Sequence, residues 1–207
     1  MPFLRLETLL LFVPAALLAI SIHEYAHAAV AYRLGDPTPR YQGRLTLNPL
    51  AHLDPIGTLL LVLFHFGWAR PVPIQPSHFA DPRRGTMLVA LAGPVANLVL
   101  AYGLSLLASV LVPFLYAASP AVGWATREFV RANVVLNLAL AAFNLIPLPP
   151  LDGSRILVGL LPARWAWRLA RLETYGFLLL ALLVVSGGAR YVLAPVLMVL
   201  QLGVARF

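Results

Sequence analysis

Long apolar runs, separated by short segments rich in proline and arginine, dominate the pattern of hydrophobic and polar positions. Several of these runs approach or exceed the about 18–20 residues that an α-helix needs to cross a bilayer. They predict long helices at about residues 3–34, 85–111, 127–146, 167–185 and 191–204, and a short one at about 154–161. We therefore predict an all-α integral membrane protein, a polytopic bundle of about five to six transmembrane helices forming a single domain over residues 1–207.

A proline-rich region at 36–84 interrupts this helical pattern. Its apolar stretch at 56–69 has only about 14 residues, which is short for a spanning helix and favours a re-entrant segment. Two short pieces, at 41–47 and 71–74, weakly predict strands. We expect a re-entrant or β-hairpin region here, with a strand edge to which an extended peptide can add.

Composition supports a membrane protein and excludes other classes. Hydrophobic residues make up 60% of the 207 positions and charged residues 11%, against about 25% charged residues in soluble domains. The net charge is +7, and all basic residues are arginines that occur singly or in pairs. Because they form no basic stripe, we expect no nucleic-acid partner. The absence of cysteine excludes disulfides and thiolate zinc sites.

The first predicted helix carries the most informative polar cluster, His23-Glu24-Tyr25-Ala26-His27. Residues four apart lie on one face of a helix, so the imidazoles of His23 and His27 can bind one Zn²⁺. The adjacent Glu24 has the chemistry of a general base that takes a proton from water. Because three polar side chains are costly inside a bilayer, the cluster predicts a functional metal site.

A catalytic zinc usually has three protein ligands, so a third side chain must approach the two histidines. The candidates are Asp152, His52, Asp54, His65, His78 and Asp81. Asp152 is favoured because it follows a helix end broken by prolines, where non-helical backbone at membrane depth must be buried or line a cavity. The next residue, Gly153, allows the chain to approach closely.

Arginines cluster between the first and second predicted long helices and again after the third, and the positive-inside rule assigns both regions to the cytoplasm. Arg127 and Arg131, on the predicted outer side, are exceptions. We expect a multi-pass protein of the cell membrane whose site faces the cytoplasmic side. Asp152 then lies on the same side as the histidines, provided that residues 56–69 turn back.

The HExxH sequence at 23–27 and the sequence Asn-Leu-Ile-Pro-Leu-Pro-Pro-Leu-Asp-Gly at 144–153 together resemble the site-2 protease family of intramembrane zinc metalloproteases. The GxxxN pattern from Gly93 to Asn97 matches the middle core helix of that family. The resemblance covers about residues 21–160. It implies that His23, His27 and Asp152 bind one Zn²⁺ per chain, and that Glu24 is the general base.

By the same resemblance, Asn144 contacts the substrate or stabilises the oxyanion, and the predicted helices at 3–34, 85–111 and 127–146 form the core. The implied reaction is hydrolysis of a peptide bond within or near a transmembrane segment of a membrane-protein substrate, in regulated intramembrane proteolysis. The chain departs from many relatives in lacking a PDZ domain, a CBS domain and a helix before the HExxH helix. The resemblance does not predict the oligomeric state.

Other interpretations of these residues stay open. Gly93 and Asn97 can serve close helix packing, Asn144 can hydrogen-bond between helices, and Asp152 can be a turn residue. A catalytically inactive membrane scaffold is one alternative function, although a structural metal site would not need Glu24. A metal-ion transporter is less favoured, because the predicted helices at 167–185 and 191–204 supply essentially no acidic or histidine residues to line a path.

Overall fold

Helices make up most of the structure, a computed structural model that describes residues 6–58 and 68–204. No strand occurs in the described residues, in agreement with the predicted all-α class. In chain order the helices are α1 (Leu6–Arg33), α2 (Thr38–Tyr41), α3 (Pro82–Ala118), α4 (Pro120–Asn144), α5 (Asp152–Leu160), α6 (Ala163–Arg171), α7 (Gly176–Val185) and α8 (Gly188–Gln201). Short 3₁₀ helices cover Pro49–Ala51, Pro76–His78 and Leu172–Tyr175, and residues 55–58 are also helical.

Two of the described helices are each long and apolar enough to cross a membrane: Leu10–Arg33 within α1, and α3. A third span results if the pair Ala163–Val185 and Gly188–Gln201, bent by 81°, is one interrupted crossing. The predicted number of five to six spanning helices is therefore not confirmed. α4 carries charged residues in its first half. α7 and α8 have 10 and 14 residues, which is short for about 30 Å of hydrocarbon.

Proline and its neighbours set helix starts that the apolar pattern alone misplaced. α3 begins at Pro82 because the Asp81 side chain accepts hydrogen bonds from the N–H groups of Arg83 and Arg84, each at 3.0 Å. α4 begins at Pro120, well before the predicted start at about 127. The first helical position suits proline, since the N–H group that proline lacks would have no partner within the helix.

Neither predicted strand forms. Tyr41 is the last residue of α2, and the chain turns directly afterwards at Gly43, whose φ of 66° is in the left-handed region. Arg44 is only 2% exposed, so the alternation at 41–47 does not mark one buried and one solvated face. The only bridge in the described residues is an isolated antiparallel one between Leu53 and Ala69. Residues 59–67 of the predicted re-entrant segment lie outside the described residues.

α1, α3 and α4 pack together and position the site. α1 and α3 are antiparallel, because Ala31 packs with Val89 and with Phe79, just before α3, whereas Ala19 contacts Asn97 farther along α3. The end of α1 and the start of α3 therefore lie on the same side of the bundle. Small side chains allow such close approach of helices in lipid. α3 packs on α4 through a buried cluster of Ala101, Ala108, Val112, Val130, Val134 and Leu138.

Candidate metal centre

The two histidines of the HExxH sequence lie one turn apart on α1, and their Nε2 atoms are directed toward each other. His23 and His27 are 5% and 8% exposed, and their Nε2 atoms are 3.0 Å apart. The four-residue spacing predicted this common face, because successive turns of a helix stack their side chains.

Gly93 of α3 lies directly against both imidazole rings. A Cβ atom at this position would be 2.5 Å from His27 Nε2 and 2.6 Å from His23 Cε1. Those distances are well inside van der Waals contact, so any side chain here would displace the rings. The sequence assigned Gly93 to helix packing, and the structure shows that the surface it packs against is the pair of histidines.

The outer nitrogen of each ring contacts an oxygen that can only accept a hydrogen bond. His23 Nδ1 lies 2.6 Å from the Asn97 side-chain oxygen, and His27 Nδ1 lies 2.7 Å from the Val89 carbonyl oxygen. Each Nδ1 must therefore carry the proton, which leaves a lone pair on each Nε2. Histidines that bind metals typically donate their second N–H group in this way.

Asp152 completes the group as the first residue of α5. Its Oδ2 atom lies 3.2 Å from His23 Nε2 and 3.3 Å from His27 Nε2. Gly153 makes this approach possible, because a Cβ there would be 2.3 Å from the Leu145 carbonyl oxygen. Of the six candidates for a third ligand, the structure brings Asp152 to the histidines.

The donor atoms of this group fit a zinc ion. Asp152 Oδ2 is buried and accepts no hydrogen bond, although two nitrogens lie within 3.3 Å of it. When both imidazoles are neutral, three lone pairs thus converge, and that arrangement is unfavourable unless a cation lies among them. Ligand atoms about 2.0–2.2 Å from a tetrahedral zinc lie about 3.3–3.5 Å from one another, close to the separations found here.

Glu24 follows His23 on α1 and is 9% exposed. Its Oε2 atom accepts a hydrogen bond of 3.2 Å from the Val72 N–H group. Val72 belongs to residues 70–75, which have no regular secondary structure and pass beside the site at this hydrogen bond. The carboxylate is held at one oxygen by this segment, which the sequence had assigned to a strand.

A cavity of about 530 Å³ reaches the site from the interior of the bundle. His23, Glu24 and Asn144 lie on its wall, and most of the remaining lining is apolar: Phe12, Ala16, Ile20, Leu136, Leu140, Phe143, Phe177 and Leu180. The Asn144 amide donates to the Leu140 carbonyl oxygen of its own helix at 3.0 Å. Its predicted contact with substrate or oxyanion remains a prediction.

The other candidate ligands have different partners. His52 is fully buried, with Nε2 2.8 Å from the Thr46 carbonyl oxygen, and His78 pairs with Asp36 at 2.9 Å. Asp54 accepts from the Gly57 N–H group, and Asp81 caps α3. His65 lies outside the described residues.

Buried polar residues that the sequence analysis did not single out surround the centre. Asn133 and Asn137 of α4 have no exposed surface, and Asn137 bonds Asn97. Their spacing of four residues within an apolar helix was the available signal, because polar residues facing a bundle interior usually have partners. The sequence analysis considered Arg44 only as one of the arginines that the positive-inside rule assigns to the cytoplasm.

Arg44 holds together the two loop segments at the mouth of the cavity. Its guanidinium group donates to the carbonyl oxygens of Ala51 and Arg70. Burial lowers the pKa of Arg44, and the negative charge of Glu24 partly counteracts this. The buried cation thus fixes the start of the segment that carries Val72.

Asp36 connects the end of α1 to the segment before α3. It has no exposed surface and accepts hydrogen bonds from the N–H groups of Thr38 and Gln75 and from His78. Burial favours the neutral acid, but the hydrogen bonds from Thr38, Gln75 and His78 outweigh it and hold the pKa of Asp36 below its ordinary value.

Comparison with known proteins identifies the family. The sequence model of peptidase family M50 matches residues 11–185. The chain belongs to this family. It is 44% identical to "Putative zinc metalloprotease YwhC" of Bacillus subtilis, over 87% of this chain and 83% of that protein. It is 31% identical to "Putative zinc metalloprotease Rip2" of Mycolicibacterium smegmatis, over 89% of this chain and 70% of that protein. No solved structure matches the chain significantly.

Membership of family M50 confirms the predicted resemblance to the site-2 proteases. The chain is a multi-pass membrane protein and a zinc metalloprotease, with Zn²⁺ as its metal. His23, His27 and Asp152 lie within 4.8 Å of one another through their ligand atoms, close enough to form the metal site.

Proposed function

We propose that this M50 peptidase hydrolyses a peptide bond within or near a transmembrane segment of a membrane-protein substrate. His23, His27 and Asp152 hold the zinc, and Glu24 is the general base. The observation that carries the proposal is the convergence of two Nε2 lone pairs and one carboxylate oxygen beside an apolar cavity, on a helix apolar enough to span a bilayer.

The residues of the chain divide the chemistry between them. When bound, zinc supplies a Lewis acid that polarises the scissile carbonyl group and lowers the pKa of water. Asn97 and the Val89 carbonyl oxygen keep the proton on the outer nitrogen of each histidine. Glu24 takes the proton of the attacking water and returns it to the leaving amine. Because the Val72 N–H group holds Oε2, Oε1 remains to accept that proton.

The apolar cavity and the segment 70–75 beside it suit a substrate taken from lipid. A transmembrane helix must unwind before attack, since its amides are hydrogen-bonded internally. Residues 70–75 lie outside any strand, and Val72 N–H reaches the base. We propose that the unwound substrate adds alongside this segment, with Asn144 at the cavity wall contacting its backbone.

We also propose that the protein lies in the cell membrane with its metal site toward the cytoplasm, and that five to six helices cross. Arg33, Arg40, Arg44, Arg70, Arg83 and Arg84 all lie between α1 and the first turns of α3. The positive-inside rule assigns such a region to the cytoplasm. The ends of α1 and α3 that flank it lie on one side of the bundle, which supports a single assignment for all six.

Cleavage of a reconstituted substrate tests the function. The purified protein in liposomes is given a membrane protein with one transmembrane segment, and mass spectrometry locates the cut. Wild type should cut within or next to the segment. Glu24→Gln should lower kcat by about 10²–10⁴-fold, and chelation should abolish cleavage until zinc is restored.

Two results would contradict the proposal. Equal cleavage by wild type and Glu24→Gln would exclude Glu24 as the base, and cuts confined to soluble loops far from the bilayer would exclude an intramembrane substrate. No contact in the described residues favours an inactive scaffold or a transporter over the protease.

A further inference from the structure

A series of hydrogen-bonded amides leads from α4 through α3 to the first histidine. The Asn137 side-chain N–H donates to the Asn133 backbone carbonyl oxygen at 2.8 Å. The Asn137 side-chain oxygen accepts from the Asn97 amide at 2.6 Å, and the Asn97 oxygen lies 2.6 Å from His23 Nδ1. All three asparagines have no exposed surface.

Each amide in the series can adopt one orientation only. The Asn97 amide nitrogen contacts two acceptors, the Asn137 side-chain oxygen and the Ala19 carbonyl oxygen at 3.1 Å. Rotating this amide by 180° would set its oxygen against two other oxygens. Asn137 is fixed in turn, because its nitrogen contacts a backbone oxygen that can only accept.

This orientation decides where His23 carries its proton. With the Asn97 oxygen toward the ring, Nδ1 is the donor and Nε2 keeps the lone pair that a metal needs. His27 needs no such arrangement, because its Nδ1 faces the Val89 carbonyl oxygen, which cannot rotate. His23 alone depends on a side-chain amide, and that amide depends on the next one.

We propose that Asn137 is a positioning residue for the metal centre: its side-chain oxygen fixes the orientation of Asn97 and thereby the tautomer and ring position of His23. The inference rests on the proposed role of His23 as a zinc ligand. Removing the oxygen at 137 leaves only the longer hydrogen bond to the Ala19 carbonyl oxygen to hold the Asn97 amide. The amide can then rotate in part of the protein, which presents Nε2–H and binds no metal.

Asn133 provides a matched control on the same helix. It lies one turn from Asn137 and is equally buried, yet its side chain donates only to the Phe129 carbonyl oxygen at 3.0 Å. Its link to Asn137 is through the backbone, which a substitution leaves in place. Asn133→Leu therefore removes a buried amide without touching the series that ends at His23.

Zinc affinity measured by competition with a chelator in detergent tests the inference. Asn137→Leu should weaken zinc binding by about 10–100-fold, the usual range for a group that orients a ligand. It should also shift the absorption bands of the Co²⁺-loaded protein. Asn133→Leu should match wild type in both, although it too removes a buried amide, one whose oxygen has no hydrogen-bond partner.

An isosteric variant separates the oxygen from the packing. Asn137→Asp keeps an oxygen toward Asn97, and its carboxyl group, protonated at this buried position, donates to the Asn133 carbonyl oxygen as the amide does. Its zinc affinity should therefore stay close to that of wild type. Unchanged affinity in Asn137→Leu, equal loss in the two leucine variants, or equal loss in Asn137→Asp and Asn137→Leu would each overturn the inference. If a leucine variant does not fold, Asn137→Ala and Asn133→Ala make the same comparison without added bulk.

His23→Ala distinguishes failure of this inference from failure of the proposed function. Zinc affinity unaffected by His23→Ala would contradict the ligand set itself. Loss of zinc in His23→Ala together with wild-type affinity in Asn137→Leu would overturn only the positioning role of Asn137.

Discussion

At the scale of single residues, the metal centre depends on where each imidazole carries its proton. His23 and His27 face their partners through Nδ1 and each other through Nε2, so both present a lone pair to Asp152. A proton on either Nε2 would donate to Asp152 and form an ordinary ion pair, which metal binding would have to break. The partners of Nδ1 are therefore part of the metal site.

Some residues of this site could be predicted from local sequence spacing, and others could not. His23, Glu24 and His27 are local, since their geometry follows from four residues of helix. The prediction of Asp152 as the third ligand also required the order in which the helices cross the membrane. Asn137 was not singled out, because the role proposed for it arises from a contact with Asn97 on another helix, and no spacing along the chain encodes that contact.

Gly93→Ala tests the close approach of α3 to the histidines. The new Cβ would lie 2.5 Å from His27 Nε2, so the rings must move away from Asp152. We expect zinc affinity to fall about 10-fold or more, by displacement of ligand atoms. Zinc content after dialysis and chelator competition measure this.

Gly103→Ala is the matched control. Gly103 lies on the same helix as Gly93, and a Cβ there would have no neighbouring atom within 4 Å apart from the backbone of its own helix. It should keep wild-type zinc affinity and gain about 1 kcal/mol of helix stability at most. Equal zinc affinity in Gly93→Ala and Gly103→Ala would mean that the packing against the imidazoles is not required.

At the scale of elements, the loops beside the site are held by buried charges rather than by strand pairing. Arg44 fixes the loop carbonyls of Ala51 and Arg70, and Asp36 fixes the end of the segment 70–75 at Gln75. The predicted strands do not form for this reason: alternation indicates a sheet only where a partner strand exists, and Arg44 is buried at a position that the alternation marks as solvated. The helices were predicted well because their hydrogen bonds are internal.

Asp36→Asn tests the buried carboxylate. Its two oxygens accept from three donors, and the amide group of asparagine must turn an N–H toward one of them. We expect a loss of about 1–3 kcal/mol in the free energy of unfolding at neutral pH. Thermal or denaturant unfolding in detergent measures the loss.

The pH dependence has a definite sign. The folded-state pKa of Asp36 is lowered, so its stabilisation is present above the unfolded value of about 3.9 and disappears as the pH falls through the folded value. The difference between Asp36→Asn and wild type should shrink over that acid range. Asp81→Asn, whose side chain caps α3 equally well, should cost little at any pH. A difference at Asp36 that persists at low pH would contradict this account.

At the scale of the whole molecule, the antiparallel order of α1, α3 and α4 brings residues from distant parts of the chain to one point. The Arg-rich region between α1 and α3 begins and ends on one side of the bundle, and the chain that follows α4 brings Asp152 of α5 to His23 near this side. The apolar pattern predicted this order, but its count of five to six spans is not confirmed by the described helices. It cannot distinguish a helix that crosses lipid from one that packs within a bent pair.

Cysteine labelling tests the orientation, and the chain has no cysteine of its own to give background. Gln42 and Ala118 are both exposed, at opposite ends of the bundle. In intact cells a membrane-impermeant maleimide should label Ala118→Cys, and label Gln42→Cys only after permeabilisation. The reverse pattern would assign the site to the outer side.

Zinc stoichiometry in substituted proteins is the most direct test of the central claim, that His23, Asp152 and His27 together bind one catalytic zinc. Metal analysis of the purified protein should find one zinc per chain, lost in His23→Ala, His27→Ala and Asp152→Asn. Glu24→Gln should keep its zinc, since the base is not a ligand. His78→Ala, which removes an imidazole bonded to Asp36, should keep it as well. Full zinc content in both Asp152→Asn and His27→Ala would contradict the account. Loss of zinc in His78→Ala, with zinc kept in the ligand variants, would contradict it as well.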